Sequence, residues 1–584
     1  MNIVTGLRVR TREPGKRGRY LLPTSLAVAA ALGVVLGLAG LPRAAEASAV
    51  VYSQDDLIAD ARQLAEIIET THPDPFVRGG GRIPFFRRLG SILNAIPDEG
   101  MTADDFVRLL RPLVASVGDA HTDIWSEYTV SEAFPGGVPV QFGVVESSLY
   151  VKGVLGDVSA DLLGARLVAV EGRPLEDLMS RQRELVGLEN DYHVLLELAE
   201  RSLYYEPYLA ELLPDWTRHD SISVELLTPA GRVETHTFDL PVLANPKTSS
   251  PTDVRIPVVS RAGFYAGFLD VATQTEPVGY IRIDHQAGFR EFLEENAVAG
   301  ANDTTPEARA LVPSATEAFR ELAIAMRDAG TETLIADLRF DTGGTDTMAD
   351  ILVYFLYGWE GLRDYLGERY IAGGFSAMRY SELHFENCSN QTISSVNEGR
   401  SGVPIAVGEY EFDVAEGTEE ERRAQVEAVD TWEHVADRYV SASTFHDEVA
   451  AGEYAGYYTP PNVAVLISPK TFSAGSTTMR ALDLAGATLC GTPSGQTMRA
   501  FGNGTLWQLD HTGIHGIIAR SYFDPYPNDL ERSEVWPIAV PLTYAQLACY
   551  AFDPNAELLL ALDWIEENAE LGSAEGEGIH DATP

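Results

Sequence analysis

The segment Asn462–Gly491, NVAVLISPKTFSAGSTTMRALDLAGATLCG, carries a complete strand, turn, helix and strand in one run. Val463–Ser468 is apolar and rich in β-branched residues, and Pro469 stops it. An Ala/Met/Leu pattern over Ala474–Leu484 predicts a helix that Gly486 ends. This order makes an α/β core the expected fold class. It also sets Ser473 near the first turn of the helix. Unpaired backbone N–H groups and the positive end of the helix dipole can stabilise an alkoxide or oxyanion there. Taken alone, Ser473 reads first as a plain N-cap.

A second unit of the same kind lies upstream. Val278–Asp284 reads as a strand, Ser314 with Glu317 as a capping box, and Phe319, Leu322, Ala323 and Met326 as one helix face closed by Gly330. Thr333–Leu338 is a buried-type strand, so the β-α-β order predicts parallel pairing. Arg339-Phe-Asp341-Thr-Gly343-Gly344 follows directly, and then a helix from Met348 to Leu356. Adjacent glycines between strand and helix let amides approach a ligand closely, or simply make a tight turn.

The rest of the chain frames this core. Arg8, Arg10, Arg12, Lys16, Arg17 and Arg19 precede an apolar run from Leu21 to Leu41 and the small residues Ala45–Ala49. Residues 1–48 are therefore expected to be an export signal or a membrane anchor. Residues 49–125 read as a helical cap ending in the turn Gly118-Asp119-Ala120-His121-Thr122. A period near two over 130–244 predicts a small β-rich module, which could take an extended peptide along a sheet edge or serve only as packing. The core is expected over 255–568, with an acidic insertion at 358–455 holding a solvated helix from Glu419 to Tyr439, and a disordered tail over 569–584.

At 584 residues, 45% of them hydrophobic, the chain is globular and large enough for several domains. Its formal net charge is −43, so nucleic acid and anionic membranes are excluded as partners. The spread of that charge suggests a high-salt setting. Cys388, Cys490 and Cys549 match no metal spacing, and Asp510-His511-x-x-x-His515 fits a turn between strands better than a metal site. No phosphate loop, Gly-x-Ser-x-Gly elbow or His-Glu-x-x-His is present, so no cofactor is expected.

Asp337-x-Arg339-x-Asp341-x-Gly343-Gly344, followed later by Thr471-Phe-Ser473-Ala-Gly-Ser476, resembles the paired turns of the C-terminal-processing and tricorn-core serine peptidases. The cap ending is similar to the Gly-Asp-Gly-His-Thr ending of tricorn-like bacterial members, and 130–244 looks like their PDZ-like region. The resemblance implies a ClpP/crotonase-like core, Ser473 as nucleophile, His121 as general base, and Glu531 as the carboxylate that orients the histidine. It implies an oxyanion hole from the amides of Gly343 or Gly344 and of Ala474. The processing branch uses a lysine after the serine, but here Ser494-Gly-Gln496-Thr-Met498-Arg499 has none, which points to Ser-His chemistry. Asp341 stands for the usual Asn, Ser476 for the usual acid, and Ala120 for a serine; Ser476 is also a rival nucleophile one turn further on.

The implied function is an exported serine endopeptidase with a peptide or protein substrate. Membrane contact, if any, is expected only through the N-terminal anchor. Two other classes fit the same sequence: a catalytically silent peptide- or lipid-binding protein on this scaffold, and an envelope-anchored scaffold working through the β-rich module.

Overall fold

A computed structural model describes residues 50–125, 135–217, 219–248, 254–255, 264–271, 277–298, 305–387, 391–398, 400, 402–428 and 460–577. The export signal, Cys388 and the later part of the Glu419–Tyr439 helix lie outside the described residues.

Among the described residues the first three helices are α1 (Gln54–Thr71), α2 (Arg82–Ala95) and α3 (Ala103–Ala115). Ser53 and Thr102 cap α1 and α3, and acidic residues fill both first turns, where they oppose the positive dipole end. Their apolar faces do not close on one another alone. Leu57, Leu64, Phe106 and Leu110 share a buried cluster with Trp507, Leu509, Ile514 and Ile518 of the core. The cap thus folds against the core, and a two-residue strand, β1 (Asp123–Ile124), continues it into a core sheet.

The middle module is antiparallel. Its strands are β2 (Val140–Val145), β3 (Ser148–Val154), β4 (Arg166–Val170), β5 (Ser221–Leu227) and β6 (Val233–Asp239), in the order β3-β4-β5-β6 with β2 on β3. Every second residue of β5 is buried, as a one-sided sheet requires. Helices α4 (Leu175–Leu185) and α5 (Asp191–Glu197) lie between β4 and β5 in sequence, and residues 186–190 link them.

The longer strands that follow, with one short edge strand, are β7 (Phe264–Val271), β8 (Val278–Ile283), β9 (Thr333–Asp337), β10 (Phe375–Arg379), β11 (Tyr410–Val414), β12 (Asn462–Ile467), β13 (Thr488–Gly491), β14 (Ala500–Gln508), β15 (His515–Asp524) and β16 (Val540–Pro541). Strands β7-β8-β9-β12-β13-β16 stand side by side, parallel from β8 onward. Helices α6 (Ala315–Ala329), α7 (Thr347–Ile371) and α8 (Ala474–Leu484) cover one face, burying Phe319, Leu352 and Met479 against Leu334, Val463 and Val465. After the short helix α9 (Leu530–Glu534), α10 (Ala556–Glu577) covers the other face, with Leu558 and Leu562 on Ile335 and Leu466. Burial on both faces is why β9 and β12 read as unbroken apolar runs.

Three expectations are corrected. Helix α7 does not end at Leu356 but runs to Ile371 through a kink at Gly358, and Leu362 and Tyr365 join the main core. Strand β10 then pairs with β15 and β11, giving a second sheet in the order β11-β10-β15-β14. The first part of the expected insertion is therefore core. Helix α10 likewise reaches Glu577, into the segment expected to be tail.

The cap is pinned where β1 pairs with β15, Ile124 opposite Gly516. A Cβ on Gly516 would lie 2.1 Å from the Asp123 carbonyl oxygen. Gly516→Ala should thus cost about 1–3 kcal/mol by forcing cap and core apart. The check is a lowered thermal midpoint together with faster proteolysis within residues 50–125.

Candidate active site

Strands β9 and β12 are parallel neighbours, so the turns that follow them meet. Ser468 Oγ donates to the Arg339 carbonyl (2.6 Å), Thr471 Oγ1 to the Leu338 carbonyl (2.8 Å), and the Phe472 amide to the Asp341 carbonyl (2.9 Å). Held in this way, Ser473 adopts φ 54°, ψ −123°, a left-handed conformation costing a non-glycine residue about 1–3 kcal/mol. Its side chain makes no capping bond to α8, so the plain N-cap role does not hold. The Ser473 amide donates to Gln496 Oε1. Gly343 (φ 97°) packs so close that a Cβ there would lie 2.6 Å from Ser473 Cβ. Ser476, the rival nucleophile, is buried, donates to the Thr471 carbonyl (2.9 Å) and bonds Ser494 Oγ (3.0 Å).

His121 reaches this serine from the cap. Its Nε2 lies 3.3 Å from Ser473 Oγ, 352 positions away in sequence. The ring stacks on Phe472 at 5.1 Å between centroids. Asp119, with no exposed surface, fixes the turn: Oδ1 accepts from the His121 amide (2.9 Å), and Oδ2 accepts from Thr122 Oγ1 (2.6 Å) and faces His72 Nε2 (3.4 Å). Thr122 Oγ1 in turn accepts from the Ala519 amide of β15 (3.1 Å). Burial would raise the Asp119 pKa, but His72, His121 and Thr122 outweigh it and hold the carboxyl below its ordinary value. Burial lowers the pKa of His121, only partly opposed by Asp119, so the imidazole stays neutral and able to accept a proton at pH 7.

Of the expected oxyanion donors, Gly343 is committed elsewhere, since its N–H donates to Asp341 Oδ1 (3.0 Å). The N–H groups of Gly344 and Ala474, the other two expected donors, have no acceptor among the described residues. Asp341 is fully buried and accepts from Gln286 Nε2 (2.8 Å) through Oδ2. Burial pushes its pKa up to about 7, against the hydrogen bonds from Gln286 and Gly343.

Glu531 does not join this group. It sits exposed on α9. The carboxylates that face His121 Nδ1 are Asp119 and Glu189, each at 3.9 Å. Glu189 belongs to the 186–190 link of the middle module and carries no motif, so nothing in the sequence marked it. Gln496 was likewise visible only as an absent lysine. Donor atoms of Asp119, His121 and Glu189 lie within 4.8 Å of one another, a spacing that could hold a metal ion. Both Asp119 oxygens are already hydrogen-bonded, which leaves such an ion few free lone pairs.

No family model and no curated protein matches the chain. Among solved structures it is similar to mature CPAF complexed with lactacystin, at 14% identity and a TM-score of 0.48, over 87% of this chain and 98% of that one. It is also similar to the photosystem II D1 C-terminal processing protease, at 13% identity and a TM-score of 0.33, over 85% and 94%.

The raised Asp341 pKa makes a stability prediction. Between its unfolded and folded pKa values the folded chain holds the extra proton, so stability falls as pH rises from about 4 through about 7. Asp341→Asn removes this loss, worth on the order of 4 kcal/mol at most. The gain in thermal midpoint of Asp341→Asn over the parent should be small at pH 4 and grow towards pH 8.

Proposed function

We propose that the chain is an exported serine endopeptidase in which Ser473 attacks the scissile carbonyl and His121 accepts its proton. The observation that carries this reading is the approach of His121 Nε2 to Ser473 Oγ at 3.3 Å, made by a serine held at positive φ. A serine hydroxyl is a poor nucleophile until a neighbouring base takes its proton. Neutral, buried His121 is suited to that task. The amides of Gly344 and Ala474 would bind the oxyanion of the tetrahedral intermediate, and each such donor is worth roughly 100-fold to 1000-fold in turnover. His121, now protonated, would release the leaving amine and then activate the water that hydrolyses the acyl-enzyme. The likeness of the two turns and of the cap ending to the tricorn-like peptidases supports a peptide substrate and a ClpP/crotonase-like core. The basic and then apolar N-terminus supports export, with the middle module as a PDZ-like peptide-binding unit.

A fluorophosphonate probe tests the site without knowledge of the substrate. It should label Ser473 in the parent, not at all in Ser473→Ala, and at least about 1000-fold more slowly in His121→Ala. Ser476→Ala should still be labelled. Folded parent protein that takes no label would instead favour a silent binding protein.

A further inference from the structure

We infer that Glu189, and not Glu531, is the positioning residue that holds the imidazole of His121 in the tautomer able to take a proton from Ser473. The inference rests on the Ser-His reading of the site. Two buried atoms facing each other carry it: His121 Nδ1 and Glu189 Oε1 have no hydrogen-bond partner among the described residues, and they lie 3.9 Å apart. Buried polar atoms are nearly always paired, so two orphans 3.9 Å apart are one small closure from a hydrogen bond. Asp119 is as near, but Oδ1 is taken by the His121 amide and Oδ2 by Thr122. Asp119 therefore holds the turn, and Glu189 is left to hold the ring.

The surroundings deliver Glu189 to this place. Its Oε2 accepts from the Thr497 amide (3.0 Å) and lies 3.1 Å from Thr497 Oγ1, whose own proton has a second acceptor in the Arg499 carbonyl (2.7 Å). Asn190 Nδ2 donates to the Ser494 carbonyl (3.0 Å), which ties the same link to the core loop after β13. Gly187 lets the link pass the cap, because a Cβ there would lie 2.4 Å from the Asp119 carbonyl oxygen. Cap, module and core each contribute one group: His121, Glu189 and Thr497.

The titratable and charged groups facing Glu189 are Asp119 and His121 on the cap and Arg78 on the loop between α1 and α2. Arg78 is anchored to the carbonyls of Gly118 (2.9 Å) and Arg499 (3.0 Å). Burial first, then the Asp119 charge, push the Glu189 pKa up to about 8, against the pull of Arg78 and Thr497. Ionisation of Glu189 places a negative charge beside the ring that becomes positive during reaction, so reactivity rises as pH rises through about 8.

Glu189→Gln separates this role from simple packing. The Thr497 amide needs an acceptor, so the glutamine must turn its oxygen there and its NH2 towards His121 Nδ1. The ring then carries its proton on Nε2 and cannot act as a base. Fluorophosphonate labelling of Ser473 is measured against pH in the parent, Glu189→Gln and Glu531→Gln, with thermal midpoints recorded. The expected result is a loss of roughly 100-fold or more in Glu189→Gln at an unchanged midpoint, with the rise near pH 8 abolished. Loss in Glu531→Gln with parental labelling in Glu189→Gln overturns the inference and leaves the Ser-His reading standing. A parent whose Ser473 takes no label removes both.

Discussion

The arrangement depends on one buried carboxylate. Asp119 has no exposed surface and still keeps a lowered pKa, because the His121 amide, Thr122 and His72 together replace the water it has lost. A buried charge is tolerable only when its lone pairs are satisfied. Each of those partners is therefore committed to a place: Thr122 also accepts from β15, and His72 ends α1. The turn bearing His121 cannot shift without uncovering the charge. The cap is thereby held to the core more specifically than its shared apolar cluster could manage, since hydrophobic contact has no direction.

The strain at Ser473 has a comparable origin. Ser473 keeps φ 54° because bonds from Ser468, Thr471 and Phe472 tie its turn to the one after β9, and Gln496 holds its amide. These ties exist because β9 and β12 are parallel neighbours, Asp337 opposite Leu466, so both chains leave the sheet at the same end. Groups from distant segments converge most readily in such a crevice at the carboxyl ends of parallel strands. Gly343 completes the contact, since any side chain there would strike Ser473.

What the sequence disclosed follows from the same physics. β9, β12 and α8 were legible because double-sided burial and helical spacing are local patterns. Ser473, His121 and the Gly343-Gly344 turn were legible because their neighbours form motifs. Glu189 and Gln496 were not, because their positions come from the docking of separate units and leave no periodic trace. Glu531 was carried over from a family spacing; its place on exposed α9 shows the limit of such a transfer when the following residues are Val535-Trp536-Pro537. Trp536 there turns inward and donates to Asp483 (3.0 Å). The misjudged insertion has another cause, because average acidity over 358–455 hid Leu362 and Tyr365, which α7 buries.

Two carboxylates around one imidazole would be excessive if both had the same task. Asp119 is held ionised and hydrogen-bonded through both oxygens, so it adds a fixed charge and a fixed geometry. Glu189 is close enough to feel that charge and, with its own burial, is pushed to keep a proton near neutrality. The resting cluster then carries about one negative charge rather than two, which limits what burial costs. When His121 takes up a proton the cluster gains a positive centre, and ionisation of Glu189 becomes easier at that moment than in the resting state. A carboxyl poised in this way adapts its charge to the state of the ring it holds, while Asp119 keeps the turn in place.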